Sequence, residues 1–203
     1  MKKIDLRKQL SDLYKVSAKQ VTEVDVPKFN FLMIDGKGDP NKAQEYADAV
    51  TALYQLAYAI KFHIKKGKPA VDYAVMPLEG LWWVDDMRQF SEKDKSSWKW
   101  TMMILQPDFV TRELVEAMRA EVAGKKNPPA LPKVRFEAYK EGPSAQILYI
   151  GPYANEGPTI QGIHEHIQQS GRALRGKHHE IYLKDPRKSA PEKLQTIVRQ
   201  PYE

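Results

Sequence analysis

The chain has 203 residues, of which 42% are hydrophobic and 10% aromatic, so it can bury one substantial core. It contains no cysteine, which excludes disulfides, thiol nucleophiles and cysteine-ligated zinc. No apolar run is long enough for a membrane-spanning helix, and no secretory signal precedes the first elements. The net charge of +6 is scattered in short clusters with acids between them. We therefore expect a cytoplasmic protein that binds neither nucleic acid nor membrane.

The first half of the chain is predicted to contain a strand, a turn, a helix and two further strands. Val, Phe and Ile mark the strands, Gly and Pro mark the breaks, and apolar residues three and four apart mark the helix. The predicted elements are a strand over 21–34, a turn over 35–40, a helix from Tyr46 to Ile64, a strand or hairpin over 72–84, a charged loop over 91–97 and a strand over 98–105.

The second half repeats this plan after a helix that Gly124 is expected to end and a linker rich in proline. A hairpin is predicted around Glu141, then a break at Gly151, a helical stripe from Ile160 to Ile167 and a strand around Glu180. The pattern predicts a single α+β domain over 1–203 with antiparallel sheets and two duplicated strand–helix–strand–strand halves. The halves are expected at about 21–105 and 134–203, joined by 106–133, with a ligand groove where they meet.

The strand around Glu180 carries the most informative pattern of the chain. Alternation places Ile181 and Leu183 on one face and Glu180 and Tyr182 on the other. The apolar pair can reach the core, which leaves a carboxylate and a phenol to face either water or a cleft. In an aromatic cleft, desolvation would raise the pKa of Glu180. A plain surface glutamate on a half-exposed strand is the alternative.

Four tryptophans lie within residues 82–100. Trp98 and Trp100 share a strand face and can form one wall of a flat slot, whereas Trp82 and Trp83 must point in opposite directions. All four could instead be core residues, since large aromatic side chains dominate protein cores. Their concentration in one short region favours a flat aromatic ligand.

Motifs for metals and common cofactors are absent from the sequence. His164 and His166 lie two apart on a helix and cannot grip one ion, and the adjacent His178 and His179 face opposite sides of a strand. No dinucleotide fingerprint, phosphate-binding loop or nucleophile elbow is present. The sequence therefore predicts a site without metal or cofactor.

Five strings of the sequence resemble the GyrI-like small-molecule-binding family. They are Phe31–Gly36, Met76–Trp83, Trp98–Trp100, Gly151–Tyr153 and His178–Leu183, so that the resemblance spans nearly the whole chain. It implies two halves related by a pseudo-twofold axis, with a ligand in the central groove. The same module serves as the drug-sensing domain of some transcription regulators, in which a groove carboxylate receives cationic ligands.

The tryptophan-rich strings are more similar to a stand-alone subfamily, the cyclopropanoid cyclopropyl hydrolases. Members of that subfamily use an aromatic cage to open the cyclopropane ring of planar DNA-alkylating natural products of the yatakemycin type. The sequence shows no helix-turn-helix extension, which agrees with this subfamily. The resemblance thus implies an enzyme that protects the cell from xenobiotics, with non-catalytic sequestration or sensing as the alternative. A structural interaction protein is a third possibility.

The alternation pattern and the resemblance together give a set of candidate site residues. Glu180 would orient or deprotonate the attacking water, with Glu79 or Glu165 as alternatives. A tyrosine hydroxyl would donate to the substrate carbonyl. The catalytic tyrosine candidates are Tyr54 and Tyr58, with Tyr149 as a further donor. The ligand-binding candidates are Met76, Trp82, Trp83, Trp98, Trp100, Tyr149, Glu165 and Tyr182. The natural substrate and the oligomeric state are left open.

Overall fold

The computed structural model describes residues 1–68, 70–87 and 95–203. The helices are α1 Leu6–Gln9, α2 Ser11–Tyr14, α3 Gln44–Lys66, α4 Arg112–Lys125 and α5 Gly157–Gln169. The strands are β1 Lys2–Ile4, β2 Thr22–Lys37, β3 Val71–Tyr73, β4 Leu78–Trp83, β5 Lys99–Gln106, β6 Arg135–Ile150, β7 His178–Tyr182 and β8 Gln195–Pro201. Of the helices within the described ranges, none has the length and hydropathy needed to cross a bilayer.

Six strands close into an antiparallel barrel in the order β2, β5, β4, β7, β8, β6. Helix α3 packs against β2 and β5, and α5 packs against β6 and β8. The two helices therefore cover different parts of the outer face. Strands β4 and β7, one from each half of the chain, pair along the seam between these parts. The α+β class and the antiparallel sheet are confirmed.

The order strand, helix, strand, strand occurs twice along the chain among the barrel strands and the two helices that pack against them. The first half contributes β2, α3, β4 and β5, and the second contributes β6, α5, β7 and β8. This order agrees with the predicted halves, whose duplication, symmetry and boundaries stay predictions. A large core cluster includes Leu32, Leu53 and Ile104, and a smaller one beneath α5 includes Ile163 and Val198.

The predicted hairpin around Glu141 is wrong, because β6 is one continuous strand of 16 residues. It pairs with β2 on both sides of the Gly142–Pro143 step, from Arg135 to Gln146. Gly142 has a φ of +76°, which allows the strand to kink there without breaking its pairing. Long-range pairing with β2 therefore overrides the local turn signal.

Three other boundaries differ from the predictions. Gly124 lies inside the last turn of α4, which ends at Lys125. Strand β2 continues to Lys37, and Gly36 pairs with Trp100 within it. The pairing can continue there because glycine has no side chain, whereas a Cβ atom at position 36 would overlap the indole of Trp100. The segment 72–84 is not a hairpin, since β3 pairs with β1. Residues 91–94 of the predicted charged loop lie outside the described residues.

Candidate functional site

Strand β7 divides its side chains between two environments, as the alternation predicts. His178, Glu180 and Tyr182 lie on the face that carries Trp82 and Trp100, while His179 and Ile181 point into the barrel. The pairing of β7 with β4 places Gly80 opposite Glu180 and Trp82 opposite His178. Glu180 therefore lies at the seam between the two halves.

The carboxylate of Glu180 is held by two neighbours on its own strand. Tyr182 Oη donates to Oε2 of Glu180 at 2.7 Å, and Nε2 of His178 lies 3.1 Å from Oε1. Nε1 of Trp82, on β4, donates to the Tyr182 oxygen at 3.0 Å. The Glu180 side chain is only 12% exposed. The alternative interpretation, a plain surface glutamate on a half-exposed strand, is therefore wrong.

The neighbours of Glu180 determine its charge. Burial alone raises the pKa of the carboxyl, but the hydrogen bond and charge of His178, the Tyr182 hydroxyl and the charge of Lys95 outweigh it. The pKa of Glu180 is lowered as a result, and the expected rise is wrong. Burial, and then the charge of Glu180, raise the pKa of Tyr182 well above its ordinary value. At neutral pH the pair is an anionic carboxylate beside a protonated phenol.

Aromatic rings surround this pair. Tyr46, on α3, stacks on Trp82 at 6.1 Å with an interplanar angle of 27°, and its edge meets Trp100 at 5.4 Å. Trp98 meets Trp82 edge-on at 5.3 Å, and the Tyr153 ring meets Tyr182 at 5.7 Å. We call these rings, with Tyr182, the aromatic cluster. It consists of Tyr46, Trp82, Trp98, Trp100, Tyr153 and Tyr182.

Gly80 makes room for the contact between Trp82 and Tyr182. A Cβ atom at position 80 would lie 2.8 Å from Nε1 of Trp82 and 3.1 Å from the Tyr182 oxygen. It would also lie 2.5 Å from Cε of Met102. Both polar atoms belong to the hydrogen-bond chain that ends at Glu180, so the absence of a side chain here permits that chain.

The structure gathers some of the predicted residues and separates others. Trp82, Trp98, Trp100 and Tyr182 meet in the aromatic cluster. These three tryptophans are at most 5% exposed and belong to the hydrophobic core, as the alternative interpretation expected. Trp83 shares the opposite strand face with Glu79, and Lys177 Nζ lies 3.4 Å from its ring centroid. The expected opposition of Trp82 and Trp83 is thus confirmed.

The remaining candidates lie at varied depth. Met76 is a core residue, 2% exposed. Tyr149 donates to the Pro152 carbonyl and packs on the core beneath α5. Tyr54 is half-buried on α3 and stacks on Tyr58, which is 46% exposed. Glu165 accepts from Gln161 on the exposed face of α5.

Glu79, the other alternative to Glu180, belongs to a separate environment. It is 1% exposed, accepts from Tyr14 and bonds His179 inside the barrel. The cavity beside it measures about 10 Å³. That volume suits at most a single water, so an organic ligand does not fit beside Glu79.

Sequence reasoning missed three residues of the site. The sequence pattern places Tyr46 only in the apolar stripe of α3 and Tyr153 only in a break, and it considers His178 only as a metal ligand, which it excludes. The spacing of His178 and Glu180 carried a signal, because residues two apart on a strand share a face. Contacts of Tyr46 and Tyr153 depend on tertiary packing. Within the described ranges, no group of three or more His, Cys, Asp or Glu side chains could hold a metal ion.

The sequence model of the GyrI-like small molecule binding domain matches residues 19–202. The chain belongs to this family. Among the curated proteins, no match is found. Glu180 and the aromatic cluster therefore lie within a domain whose family is described as binding small molecules.

Solved structures with similar folds include two hydrolases from Listeria innocua. One is 39% identical, covers 100% of both chains and superposes with a TM-score of 0.88. The other is 36% identical, covers 98% of this chain and 100% of its own, with a TM-score of 0.86. An uncharacterized conserved protein from the same organism is 38% identical over 98% of this chain and 100% of its own, with a TM-score of 0.91.

Proposed function

We propose that this GyrI-like protein is a hydrolase that opens the cyclopropane ring of planar electrophilic natural products and so protects the cell from them. The observation that carries the proposal is the Glu180 carboxylate, ionised and 12% exposed, within the aromatic cluster. The names of the two Listeria innocua hydrolases support hydrolysis as the reaction class. The tryptophan-rich resemblance to the cyclopropyl hydrolases supports the substrate.

In the proposed reaction, water attacks the cyclopropane carbon of a ring fused to a dienone. The water oxygen bonds to that carbon, the carbon–carbon bond to the dienone ring breaks, and its electron pair converts the dienone into a phenolate. Glu180 accepts one proton of the water, and a tyrosine hydroxyl gives its proton to the phenolate oxygen. Glu180 then releases its proton to solvent, and the tyrosine takes one up from solvent. The product is the substrate plus one water, so no cofactor is needed.

The residues around Glu180 have distinct roles in this scheme. Tyr182 and His178 hold the carboxylate, so that it orients the water rather than rotating freely. The rings of Trp82 and Tyr46 can stabilise positive charge that develops on the attacked carbon.

Among the tyrosines suggested as proton donors, we favour Tyr54 for the substrate carbonyl. It is half-buried on α3, the helix that also carries Tyr46 of the aromatic cluster, and burial raises its pKa. Tyr58 is more exposed, and Tyr149 already donates to Pro152. A buried phenol that keeps its proton can donate as negative charge gathers on the carbonyl oxygen.

Sequestration or sensing of flat cations is the second candidate. An anionic carboxylate surrounded by aromatic rings also suits a planar cation, which gains from both charge and ring faces. Both functions would use the same site, so geometry does not separate them. The product separates them.

The deciding experiment incubates the protein with a synthetic cyclopropane-fused dienone that carries an aryl amide. Mass spectrometry then measures the ligand. A gain of one water that depends on the protein supports the hydrolase. A ligand recovered unchanged, although it quenches tryptophan fluorescence on binding, rejects the hydrolase and favours sequestration.

A further inference from the structure

Behind Glu180, on the opposite face of β7, His179 is buried between two carboxylates inside the barrel. Its Nδ1 lies 2.9 Å from Oε1 of Glu141, and its Nε2 lies 3.0 Å from Oε2 of Glu79. The three side chains are each 2% exposed or less. Both ring nitrogens therefore face carboxyl groups, and both must donate when these two groups are ionised.

Further groups complete this interior cluster from other elements. Tyr14, on α2, donates to Oε1 of Glu79 at 2.5 Å. Arg199, on β8, donates from Nη1 to Oε2 of Glu141 at 3.1 Å. Its Nε donates to Gln146 at 3.0 Å, and its Nη2 donates to the Leu13 carbonyl at 3.0 Å.

With both carboxyl groups ionised, the charges of the cluster balance when His179 is a cation. Two carboxylates face one guanidinium, and a neutral imidazole would leave one buried negative charge without compensation. Burial lowers the pKa of His179, but the charges and hydrogen bonds of Glu141 and Glu79 outweigh it and raise the pKa to about 9. The charges and hydrogen bonds of His179 and Arg199 lower the pKa of Glu141 to about 2, against the effect of burial.

The topology ties this cluster to the candidate site. Glu79 lies on β4 and Glu141 on β6, so His179 links β7 to two other strands of the barrel. Its main chain also pairs with Leu81 and Arg199. Glu180 is the next residue along β7 and points the other way, so a shift of His179 would be passed directly to the Glu180 carboxylate.

We propose that His179, held as a cation between Glu79 and Glu141, is a positioning residue that fixes β7 and thereby the carboxylate of Glu180. The predicted effect on turnover rests on the proposed function. The contacts of His179 with Glu79 and Glu141, which we call the clamp, do not depend on that function. A residue that places a catalytic group within a few tenths of an ångström affects the chemical step more than ligand binding.

The clamp has a defined pH dependence. The pKa of His179 is raised above its unfolded value, so its contribution to stability is full below about pH 6.5 and is lost as the pH rises through about 9. The groups that face it are Glu79, Glu141 and, through the latter, Arg199, with Tyr14 on Glu79. Turnover should therefore fall at alkaline pH as β7 is released.

The test uses His179→Gln and the charge-balanced Glu79→Gln/His179→Gln variant, with His166→Gln as the control. His166 lies on α5, where its side chain is 40% exposed and contacts Glu23. With the dienone probe, we expect both His179 variants to lose about 10- to 100-fold in kcat with little change in KM. The fall of kcat at alkaline pH should be absent from both His179 variants, and the His166→Gln control should behave as the wild type.

Three measurements do not depend on turnover. Nitrogen-15 NMR of labelled histidines should show a histidine that stays protonated to about pH 9 in the wild type and is missing from His179→Gln. Amide exchange should accelerate in β7 more than in β2 when His179 is replaced. In the wild type above about pH 9, β7 should lose protection relative to β2 after both are corrected for the base-catalysed intrinsic exchange rate, a comparison that needs no folded variant.

Distinct results would overturn the inference. A His179 that NMR shows to be neutral at pH 7, or exchange that rises equally in all strands, would rule out the clamp. A double variant with wild-type kcat and pH profile would mean that the cluster serves stability alone. If the wild type opens no ring while NMR and exchange show the clamp, the proposed function fails and the clamp stands.

Discussion

The hydroxyl of Tyr182 donates to a carboxylate oxygen of Glu180 across 2.7 Å, and both side chains lie on the outer face of one strand. The same phenol oxygen accepts the indole N–H of Trp82 from the neighbouring strand. The pair therefore joins the two halves of the chain at their seam. The Tyr182 hydroxyl therefore holds Glu180 in place, and it can be removed while the aromatic ring remains in the site.

Replacement of Tyr182 by Phe should remove one of the donors that lower the pKa of Glu180. The pKa of the carboxyl should then rise, because burial still opposes its charged form. The acid limb of the pH–kcat profile, below which Glu180 is protonated, should move to higher pH. We expect kcat to fall about 10- to 100-fold. An unchanged acid limb would show that Tyr182 does not influence Glu180.

The two adjacent tryptophans provide a matched pair. Trp82→Phe removes the N–H that reaches Tyr182 and shrinks the ring that stacks on Tyr46, so affinity for a planar aromatic ligand should fall by about 1–3 kcal/mol. Trp83→Phe changes a ring on the other strand face, beside Lys177, and should leave affinity unchanged. Fluorescence titration measures both. Equal losses would place the ligand elsewhere.

Gly80→Ala should disturb the hydrogen bond between Trp82 and Tyr182 without removing either side chain. The added methyl group would crowd Nε1 of Trp82 and the Tyr182 oxygen, so kcat should fall although no functional group is removed. Gly124→Ala is the control, since its Cβ would meet nothing within 4 Å inside α4. That change should stabilise the protein by roughly 0.5–1 kcal/mol and leave kcat as it is. Thermal melts and kinetics check both, and an active Gly80→Ala protein would contradict the tight fit.

The predicted absence of a metal can be checked with a chelator. The proposed reaction uses a carboxylate, aromatic rings and phenols, so overnight dialysis against EDTA should change neither turnover nor binding. Loss of activity that added zinc restores would overturn this prediction.

Local periodicity predicted much of the site and little of the barrel. The facing of Glu180 with Tyr182, and the opposition of Trp82 and Trp83, follow from the two-residue repeat of a strand, which needs no knowledge of neighbours. The continuity of β6 through Gly142 does not, because pairing with a strand more than 100 residues away decides it. The periodicity of a single sequence contains no information about which distant strands pair.

The charge state of Glu180 could not be predicted for a similar reason. Desolvation alone gives a raised pKa, and only the positions of His178, Tyr182 and Lys95 reverse the direction. The interior cluster of Glu79, Glu141 and His179 likewise comes from three strands that meet only in the closed barrel.

The central claim is that Glu180 acts on water, and Glu180→Gln tests it most directly. Glutamine keeps the shape of the side chain and removes the base, while Glu165→Gln makes the same change on the exposed face of α5. We predict that Glu180→Gln still binds the dienone probe but opens its ring about 10²- to 10⁴-fold more slowly, with Glu165→Gln near the wild-type rate. Wild-type turnover by Glu180→Gln would contradict the account.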